Sequence, residues 1–312
     1  MTVIDLELWA AANVEFTDRE SAFPGYYDPD RSPHLSEVLR ALGPCDSCRI
    51  VTVKASAQVG KSTIARIFML ANIVGDPCDF LYTHPTLDSA RRWSKLKLSP
   101  FLSRLNVPLA ADRILFKRRK DGLASIKVAG ATAPSSLEGS TVRCQVQDDL
   151  SKWVDNRQGD PEARADTLSF LATPSKILKT STPLVLPECR ITRSFERGSQ
   201  ERFYVPCPHC GTMQTFEFEN FFPRGEAFLC VSNACRGFIE DGDRRRILPR
   251  GEWRAMNPNA APEHRSFEIW SAYNLAVSFE FIARQYHEAR GDTLRQRCFA
   301  NDVLGRAWPL VG

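Results

Sequence analysis

Short apolar runs and helical patterns alternate along the first half of the chain. Residues 50–53 and 80–83 form apolar runs that predict buried strands. Residues 62–71 and 87–98 have the spacing of helices and follow these two runs closely. Strands that alternate with helices are typical of an α/β fold. The pattern therefore predicts a core with a mainly parallel sheet and helices on both of its faces.

Later elements follow the same alternation less regularly. Strands are predicted at residues 113–116, 125–129, 141–147, 176–179 and 215–222, and a helix at residues 161–172. The run at 141–147 is less apolar than a central parallel strand should be, because Arg143, Gln145 and Gln147 share one face. The basic turn at 117–122 joins two of the strands and either contacts DNA phosphates or faces water.

A glycine-lysine-serine sequence separates the first strand from the first helix. In such a loop the backbone N–H groups point at phosphate oxygens, Lys61 neutralises the β- and γ-phosphates, and the Ser62 hydroxyl ligates Mg²⁺. The chain is therefore predicted to bind ATP or GTP. Ala55 stands where the usual loop has its first glycine, so an ordinary helix start is the alternative. The residues predicted at the nucleotide are Ala57, Gln58, Val59, Gly60, Lys61, Ser62 and Thr63.

Acids and hydroxyls follow the ends of two later strands. In a phosphate-loop enzyme the first acid, Asp148, would bind Mg²⁺ through water or the Ser62 hydroxyl, and Asp149 would polarise the attacking water. The strand at 176–179 leads into three hydroxyl residues, which either sense the γ-phosphate or form a plain turn. These three residues are Thr180, Ser181 and Thr182.

Ten cysteines without a signal sequence argue against a disulfide framework and favour metal binding or buried thiols. Cysteine pairs on two turns can bring four thiolates to one tetrahedral point, which suits Zn²⁺. The predicted ligands of this zinc ribbon are Cys207, Cys210, Cys230 and Cys235. His209 could replace one cysteine. Four protein ligands leave no position for water, so the predicted zinc is structural. The pair Cys45 and Cys48 is interpreted as a loop feature.

Composition excludes several classes of protein. The 312 residues are 43% apolar and 25% charged, as in an ordinary soluble globular chain. No run reaches the roughly 18 apolar residues of a membrane span, and the N-terminus lacks the pattern of a signal peptide. A cytoplasmic protein is therefore expected. The net charge of +4 is too small to establish a nucleic-acid partner, although basic residues cluster at 117–120 and 244–246.

Short motifs also occur in a distinctive order. In chain order they are Phe23-Pro24-Gly25, Ser32-Pro33, the Gln-Val-Gly-Lys-Ser loop, His84-Pro85-Thr86, Asp148-Asp149, Lys179-Thr180-Ser181-Thr182-Pro183, Cys207-Pro208-His209-Cys210-Gly211, Gly251-Glu252-Trp253 and Asn301-Asp302-Val303-Leu304-Gly305. Their order resembles the ATPase part of the large terminase subunit of tailed bacteriophages, specifically its lambda-like branch. The resemblance runs over nearly the whole sequence. Phosphate loops of this family are often deviant and carry a basic residue upstream. Lys54 holds that position here, so the resemblance implies that Lys54 also belongs to the ATP-binding residues.

The resemblance implies a motor that hydrolyses ATP, with Mg²⁺, to pull double-stranded DNA into a preformed capsid. It implies the small terminase subunit and the capsid portal as partners, a homo-oligomeric ring as the working form, and the host cytoplasm as the location, with no membrane. Lys61 and Ser62 match the phosphate loop, and residues 180–182 match the segment that couples hydrolysis to movement. Asp148 matches the Mg²⁺-associated acid and Asp149 the position of the catalytic glutamate.

The sequence departs from the family pattern at the second acid. The family usually has Asp-Glu with another acid two residues later, whereas this chain has Asp149 and Ser151. The aspartate carboxylate sits about 1 Å further back, and such a misplacement can cost on the order of a hundredfold in rate. The arginine that stabilises the transition state is not assigned. Its candidates are Arg66, Arg91, Arg92, Arg143 and a residue of a neighbouring subunit.

The expected organisation is an N-terminal arm (1–34), a phosphate-loop ATPase core (35–195), a zinc-ribbon-like segment (196–250) and a C-terminal α/β segment with the start of a linker (251–312). Family members cut DNA with a nuclease domain that follows the ATPase, and this domain is expected to be absent here. Two other functions stay open. One is a helicase-like translocase, and the other is a hydrolysis-dead remnant that binds nucleotide and DNA.

Overall fold

The computed structural model of the chain describes residues 4–139 and 141–309, so the outermost residues of the predicted N-terminal arm and C-terminal segment lie outside the described residues. The helices are α1 Leu6–Asn13, α2 Ser36–Leu42, α3 Lys61–Val74, α4 Leu87–Trp93, α5 Ser99–Arg104, α6 Pro161–Thr167, α7 Arg190–Arg197, α8 Arg244–Ile247, α9 Phe279–Ala289 and α10 Thr293–Cys298. The strands are β1 Glu15–Phe16, β2 Gly25–Tyr26, β3 Ile50–Ala55, β4 Phe80–His84, β5 Leu109–Arg113, β6 Phe116–Arg119, β7 Ser125–Gly130, β8 Cys144–Asp148, β9 Lys176–Ser181, β10 Arg202–Pro206, β11 Met213–Gln214, β12 Phe221–Phe222, β13 Ala227–Leu229, β14 Phe238–Ile239, β15 Glu252–Arg254 and β16 His264–Ile269.

The central sheet has the strand order β16-β3-β9-β8-β4-β7-β6-β5. The six strands from β16 to β7 pair in parallel, and β6 and β5 add an antiparallel edge. This arrangement confirms the predicted α/β class with a mainly parallel sheet. Because β9 lies between β3 and β8, the carboxyl ends of these three strands are neighbours, and ligands of open parallel sheets bind at that edge.

One face of the sheet packs on α3 through apolar side chains. Val51 and Val53 from β3 join Ile64 and Phe68 from α3 in a fully buried core. Phe68 also meets Phe80 edge-on, with ring centroids 5.3 Å apart. Burial of each such side chain contributes roughly 1.5–3 kcal/mol. This packing holds the N-terminus of α3 beside the carboxyl end of β3.

The opposite face of the sheet is polar where α6 covers it, which accounts for the unusual pattern of the strand β8. Gln145 donates to the Ala165 carbonyl (2.8 Å) and to the Ser169 hydroxyl (2.7 Å), and Gln147 donates to Asp166 (2.7 Å). Both glutamines are fully buried. Since buried polar groups are stable when they are hydrogen-bonded, β8 occupies a central position in spite of its polar face.

The predicted strand at 113–116 is wrong, because Ile114 and Leu115 form a turn between the end of β5 at Arg113 and the start of β6 at Phe116. The basic run therefore begins inside a strand, where successive side chains point to opposite faces. Lys117 is buried and pairs with Asp112, whereas Phe116 and Arg118 are exposed.

Three other elements differ in detail from their patterns, although the predicted helix at 87–98 is helical throughout. The helix at 87–98 is α4 followed by a π-helical segment, Ser94–Leu98, and the helix at 161–172 ends at Thr167. The segment 215–222 is not one strand, because a 3₁₀ turn, Phe218–Asn220, interrupts it. Phe216, Phe218 and Phe221 join one aromatic cluster, so their side chains do not alternate between two faces, whereas Phe222 is exposed and packs on Phe238. Phe216, for example, stacks on Phe228 with centroids 4.5 Å apart.

The later part of the chain returns to the central sheet. Two three-stranded sheets, β11-β10-β15 and β12-β13-β14, form the segment predicted as a zinc ribbon. β16 then pairs with β3 at one edge of the central sheet, so the chain returns to this sheet after the two small sheets. Among the described residues no helix is both long and apolar enough to span a bilayer.

Candidate active site

The loop between β3 and α3 is shaped for a close approach to its ligand. Gly60 precedes α3 and has a φ of +103°, a conformation that glycine adopts readily. A Cβ atom at this position would also lie 2.7 Å from Cδ1 of Leu35. The loop therefore requires glycine here, and it presents the N–H groups at the start of a 14-residue helix to an anion.

Lys61 is held at this edge by the strand ends around it. Its Nζ donates to the carbonyls of Ala55 and Ser56 and to the Thr182 hydroxyl, the last at 3.0 Å. Desolvation lowers the pKa of Lys61 to about 8, and the nearby charges of Asp149 and Asp148 oppose that shift. Lys61 is thus a cation held by neutral acceptors, which a phosphate can replace.

Asp148 is the last residue of β8, and its side chain lies beside two aromatic residues. Its carboxylate accepts from the Tyr82 hydroxyl at 3.3 Å and lies 3.6 Å from Nδ1 of His84. Burial and the charge of Asp149 raise the pKa of Asp148 to about 7, and burial lowers the pKa of His84 to about 4, so this imidazole supplies no counter-charge at neutral pH. A partly buried acid with so little neutralisation fits a divalent cation, and carboxylate and hydroxyl oxygens are the donors that Mg²⁺ prefers.

Asp149 begins the 3₁₀ turn Leu150–Lys152 and has a φ of +51°. Its carboxylate pairs with Lys152 at 2.8 Å, and both side chains are more than a third exposed. The N–H of Ser151, which stands where an acid was expected, donates to the Ser181 hydroxyl at 3.1 Å. The turn that carries Asp149 is therefore tied to the end of β9.

The three hydroxyl residues at 180–182 have different surroundings. Thr180 lies opposite Asp148 in the sheet, and its buried hydroxyl has no hydrogen-bond partner among the described residues. Ser181 binds the turn after β8, and Thr182 binds Lys61. The end of β9 thus contacts both the predicted phosphate-binding lysine and the turn with the second acid.

A cavity of about 490 Å³ opens in front of the loop. The predicted residues from Ala57 to Thr63 and Thr182 line it, together with residues from the N-terminal arm and from the segment after β16. Its lining residues outside the loop are Glu20, Ser21, Ala22, Phe23, Ser32, His34, Leu35, Asn274, Ala276 and Val277.

Residues that are distant in sequence hold the loop in place. The Asn274 side chain donates to the Gln58 carbonyl at 2.7 Å, and the Ala57 N–H donates to the Asp302 carbonyl at 2.9 Å. His34 is buried with Nε2 3.4 Å from the Val59 carbonyl, and burial lowers its pKa to about 4. Local sequence reasoning missed these contacts. Of these distant residues, only Asp302 belongs to one of the motifs in the sequence, Asn301-Asp302-Val303-Leu304-Gly305.

Lys54 does not line the nucleotide cavity. Its side chain lies on the α7 face of the sheet, where it pairs with Glu268 and sits 4.4 Å from the ring centroid of Phe195. Desolvation, with repulsion from Arg202, lowers the pKa of Lys54 to about 7. Contact with a nucleotide would require this side chain to leave its present partners.

The four predicted zinc-binding cysteines come together. All four sulfur atoms lie within 4.8 Å of one another, with Cys207 and Cys235 at 3.9 Å and Cys210 and Cys230 at 3.7 Å. A tetrahedron with Zn–S bonds of about 2.3 Å has edges of about 3.8 Å, so the arrangement fits zinc. His209 is not part of this cluster, because its ring bonds the Phe238 carbonyl at 2.7 Å.

A comparison with known proteins identifies the family of the chain. The family model described as "Phage terminase large subunit gpA, ATPase domain" matches residues 21–253. The chain belongs to this family. The match includes the phosphate loop, both acids, the segment 180–182 and the four cysteines.

Two curated terminase relatives extend the similarity along the chain. The large terminase subunit of Escherichia phage lambda is 26% identical over 337 residues, and that of Enterobacteria phage P21 is 24% identical over 344 residues. Each alignment covers 96% of this chain and 52% of the relative. The chain therefore spans about half the length of these terminases.

A solved terminase structure shares the fold. The large terminase ATPase domain of Thermus phage P74-26 superposes with a TM-score of 0.53 at 14% sequence identity, over 84% of this chain and 90% of that domain.

The structure separates the four arginine candidates of this terminase ATPase. Arg66 is buried over the Phe101 ring, and Arg143 pairs with Asp76 at 2.6 Å at the start of β8, the end opposite to Asp148. Arg91 and Arg92 are exposed on α4. Arg66 and Arg143 are therefore engaged in contacts away from the phosphate loop.

Proposed function

We propose that the chain is the ATP-hydrolysing motor domain of a phage DNA-packaging enzyme. In this proposal, ATP hydrolysis drives double-stranded DNA into a procapsid. The observation that carries the proposal is the convergence of Lys61, Asp148 and Thr182 at the carboxyl edge of the sheet, beside a cavity lined by the phosphate loop. Membership in the terminase ATPase family supports the same conclusion.

Each side chain has a distinct task in this proposal. Lys61 and the first N–H groups of α3 bind the β- and γ-phosphates. Ser62 and Asp148 would hold Mg²⁺, which neutralises charge on the phosphates. Asp149 orients the attacking water once its carboxylate has separated from Lys152. This release costs little, because exposed ion pairs typically contribute about 1 kcal/mol or less.

The end of β9 supplies a route from the nucleotide to the rest of the domain. Thr182 accepts a hydrogen bond from Lys61 in the present structure. When Lys61 turns to a phosphate, Thr182 loses this donor, while Ser181 still binds the turn that carries Asp149. This connection supports a coupling role for residues 180–182. A working ring, the small terminase subunit and the portal complete the proposed machine.

A hydrolysis-dead nucleotide-binding domain is the second candidate. The observation that favours it is the position of Asp149, whose short side chain is engaged by Lys152 at 2.8 Å. A water molecule must compete with that lysine.

Steady-state ATP turnover, with and without double-stranded DNA, tests the proposal. Lys61→Ala should reduce turnover at least a hundredfold, and Asp149→Glu should raise it, because the longer side chain returns the carboxylate to its usual position. Arg245→Ala removes an exposed cation of α8 and should leave turnover unchanged. If the parent protein binds ATP but does not hydrolyse it, the motor function is refuted and the hydrolysis-dead nucleotide-binding domain is the remaining function.

A further inference from the structure

Residues 88–121 carry the positive charge of the molecule. They contain ten lysines and arginines and three aspartates, a net charge of +7, whereas the whole chain has +4. The remainder of the chain therefore has a net charge of −3. An excess of one sign on a single segment attracts a partner of the opposite sign.

The acids of this segment are already paired. The ion pairs are Arg91 with Asp88, Lys117 with Asp112, and Arg119 with Asp121, and Arg104 pairs with Glu20 of the N-terminal arm. Six cations then remain without an ion pair among the described residues. We call them the basic ridge: Arg92, Lys95, Lys97, Arg113, Arg118 and Lys120. Five of these are exposed on the π-helical segment, on β5 and β6 or just after β6, and Arg92 is exposed on α4.

A contact between two distant segments brings the ridge together. The Ser94 hydroxyl bonds the carbonyl of Ile114, so the π-helical segment lies against the turn between β5 and β6. The start of this segment, with Lys95 next to Ser94, therefore lies beside the turn that follows Arg113. Arg118 follows on β6, on the same face as Phe116. Arg113 pairs with Phe116 across the hairpin, so Arg113 and Arg118 share one face, and with Lys95 beside the turn they form a row of exposed cations.

Protection of a sheet edge does not account for this row. Charges that prevent edge pairing are expected on the outermost strand. That strand, β5, contributes one free cation, Arg113, beside the acid Asp112. A small anion does not account for it either, because such a ligand needs converging donors in a pocket, and these side chains are exposed along a surface.

We propose that the basic ridge binds the phosphate backbone of double-stranded DNA without reading its sequence. This inference rests on the proposed packaging function, whose cargo is a duplex. A duplex presents one negative charge per roughly 1.7 Å of its axis, so a row of exposed cations can follow it. Two apolar side chains also lie among these cations, Leu96 at 60% exposure and Ile114 at 54%. Because exposed apolar side chains can pack against another protein, a second copy of this chain is the competing partner.

A salt-dependent titration with a duplex of roughly 30 base pairs and arbitrary sequence tests the ridge. The test variant combines Lys95→Gln, Lys97→Gln and Arg118→Gln. Each phosphate contact contributes about 0.9 to the slope of log K against log salt, so the slope should fall by about 3 and affinity by at least tenfold. A control removes three exposed cations without ion pairs elsewhere, namely Arg245→Gln, Arg290→Gln and Arg297→Gln. Its slope should change by less than about 1.

Two further measurements keep the outcome decisive. The charge-preserving variant Lys95→Arg, Lys97→Arg and Arg118→Lys should bind DNA like the parent, and thermal unfolding should be the same for all variants. Equal losses in the test and control variants would overturn the inference. So would a parent that does not bind the duplex, or a test variant that changes only self-association in sedimentation.

The titration contains no nucleotide, so it is independent of hydrolysis. If the chain binds DNA through the basic ridge but does not hydrolyse ATP, the DNA-binding inference stands and the proposed motor function is refuted. If the chain hydrolyses ATP and the triple variant binds DNA as well as the parent, the motor function stands and the DNA-binding inference is refuted.

Discussion

Lys179 offers a direct test of how the strands that carry the candidate active-site residues are held. It directly precedes Thr180 on β9, its side chain is 5% exposed, and its Nζ pairs with Glu162 at 2.8 Å and Asp166 at 2.7 Å. Asp166 also accepts from Gln147, the residue before Asp148. One carboxylate on α6 therefore contacts both strands that deliver the active-site residues.

We expect Lys179→Met to cost about 3 kcal/mol of unfolding free energy. The substitution keeps the length of the side chain but leaves two carboxylates facing one buried position, and loss of one partner of a buried pair costs about 3–5 kcal/mol. The lower end applies, because the Asp166 side chain is 33% exposed and its charge is partly screened. Such a loss is a large fraction of a typical stability of about 5–15 kcal/mol.

Urea unfolding followed by circular dichroism measures this cost. A second variant, Lys179→Met with Asp166→Asn, should recover much of it, because Glu162 keeps Arg190 at 3.2 Å and the amide oxygen introduced at position 166 can still accept from Gln147. The matched control is Arg246→Met, which breaks a pair with Asp243 whose arginine is 63% exposed and should cost less than about 1 kcal/mol. A cost of Lys179→Met no larger than that of the control, or no recovery in the double variant, would refute the reasoning.

Two further predictions concern pH and metal. Burial lowers the pKa of His34 to about 4, so between about pH 4 and 6.5 the unfolded chain binds a proton at this residue that the folded chain does not. The contribution of His34 to stability should therefore be full above about pH 6.5 and fall by up to about 3 kcal/mol as the pH approaches 4. Urea midpoints between about pH 7.5 and 4.5 should show this fall, and a His34→Gln variant with an unchanged slope would contradict the assignment. Elemental analysis should find one zinc per chain, which Cys210→Ala should remove together with thermal stability, because three thiolates no longer complete the tetrahedron. A metal-free parent that is fully folded would show that the cluster holds no zinc.

Local sequence patterns were informative where a site lies on consecutive residues. The apolar run of β3, the Gly-Lys-Ser sequence and the start of α3 are contiguous, so the loop that lines the cavity followed from periodicity and motif alone. The same holds for Asp148 and Asp149 at the end of β8. The strand at 113–116 was placed wrongly, because the partners that define β5 and β6 are set by pairing across the hairpin, which periodicity does not show.

Tertiary structure decided what surrounds those motifs. His34 and Asn274 reach the phosphate loop from positions 25 and 216 residues away, so no local spacing could identify them. Lys54, next to the loop in sequence, points instead to the α7 face, because successive side chains on a strand alternate between faces. The sequence alone determined which residues can bind phosphate, Mg²⁺ and zinc, since that chemistry belongs to the side chains. The packing of the sheet determined which of them meet, because proximity depends on strand order and on helix contacts between distant parts of the chain.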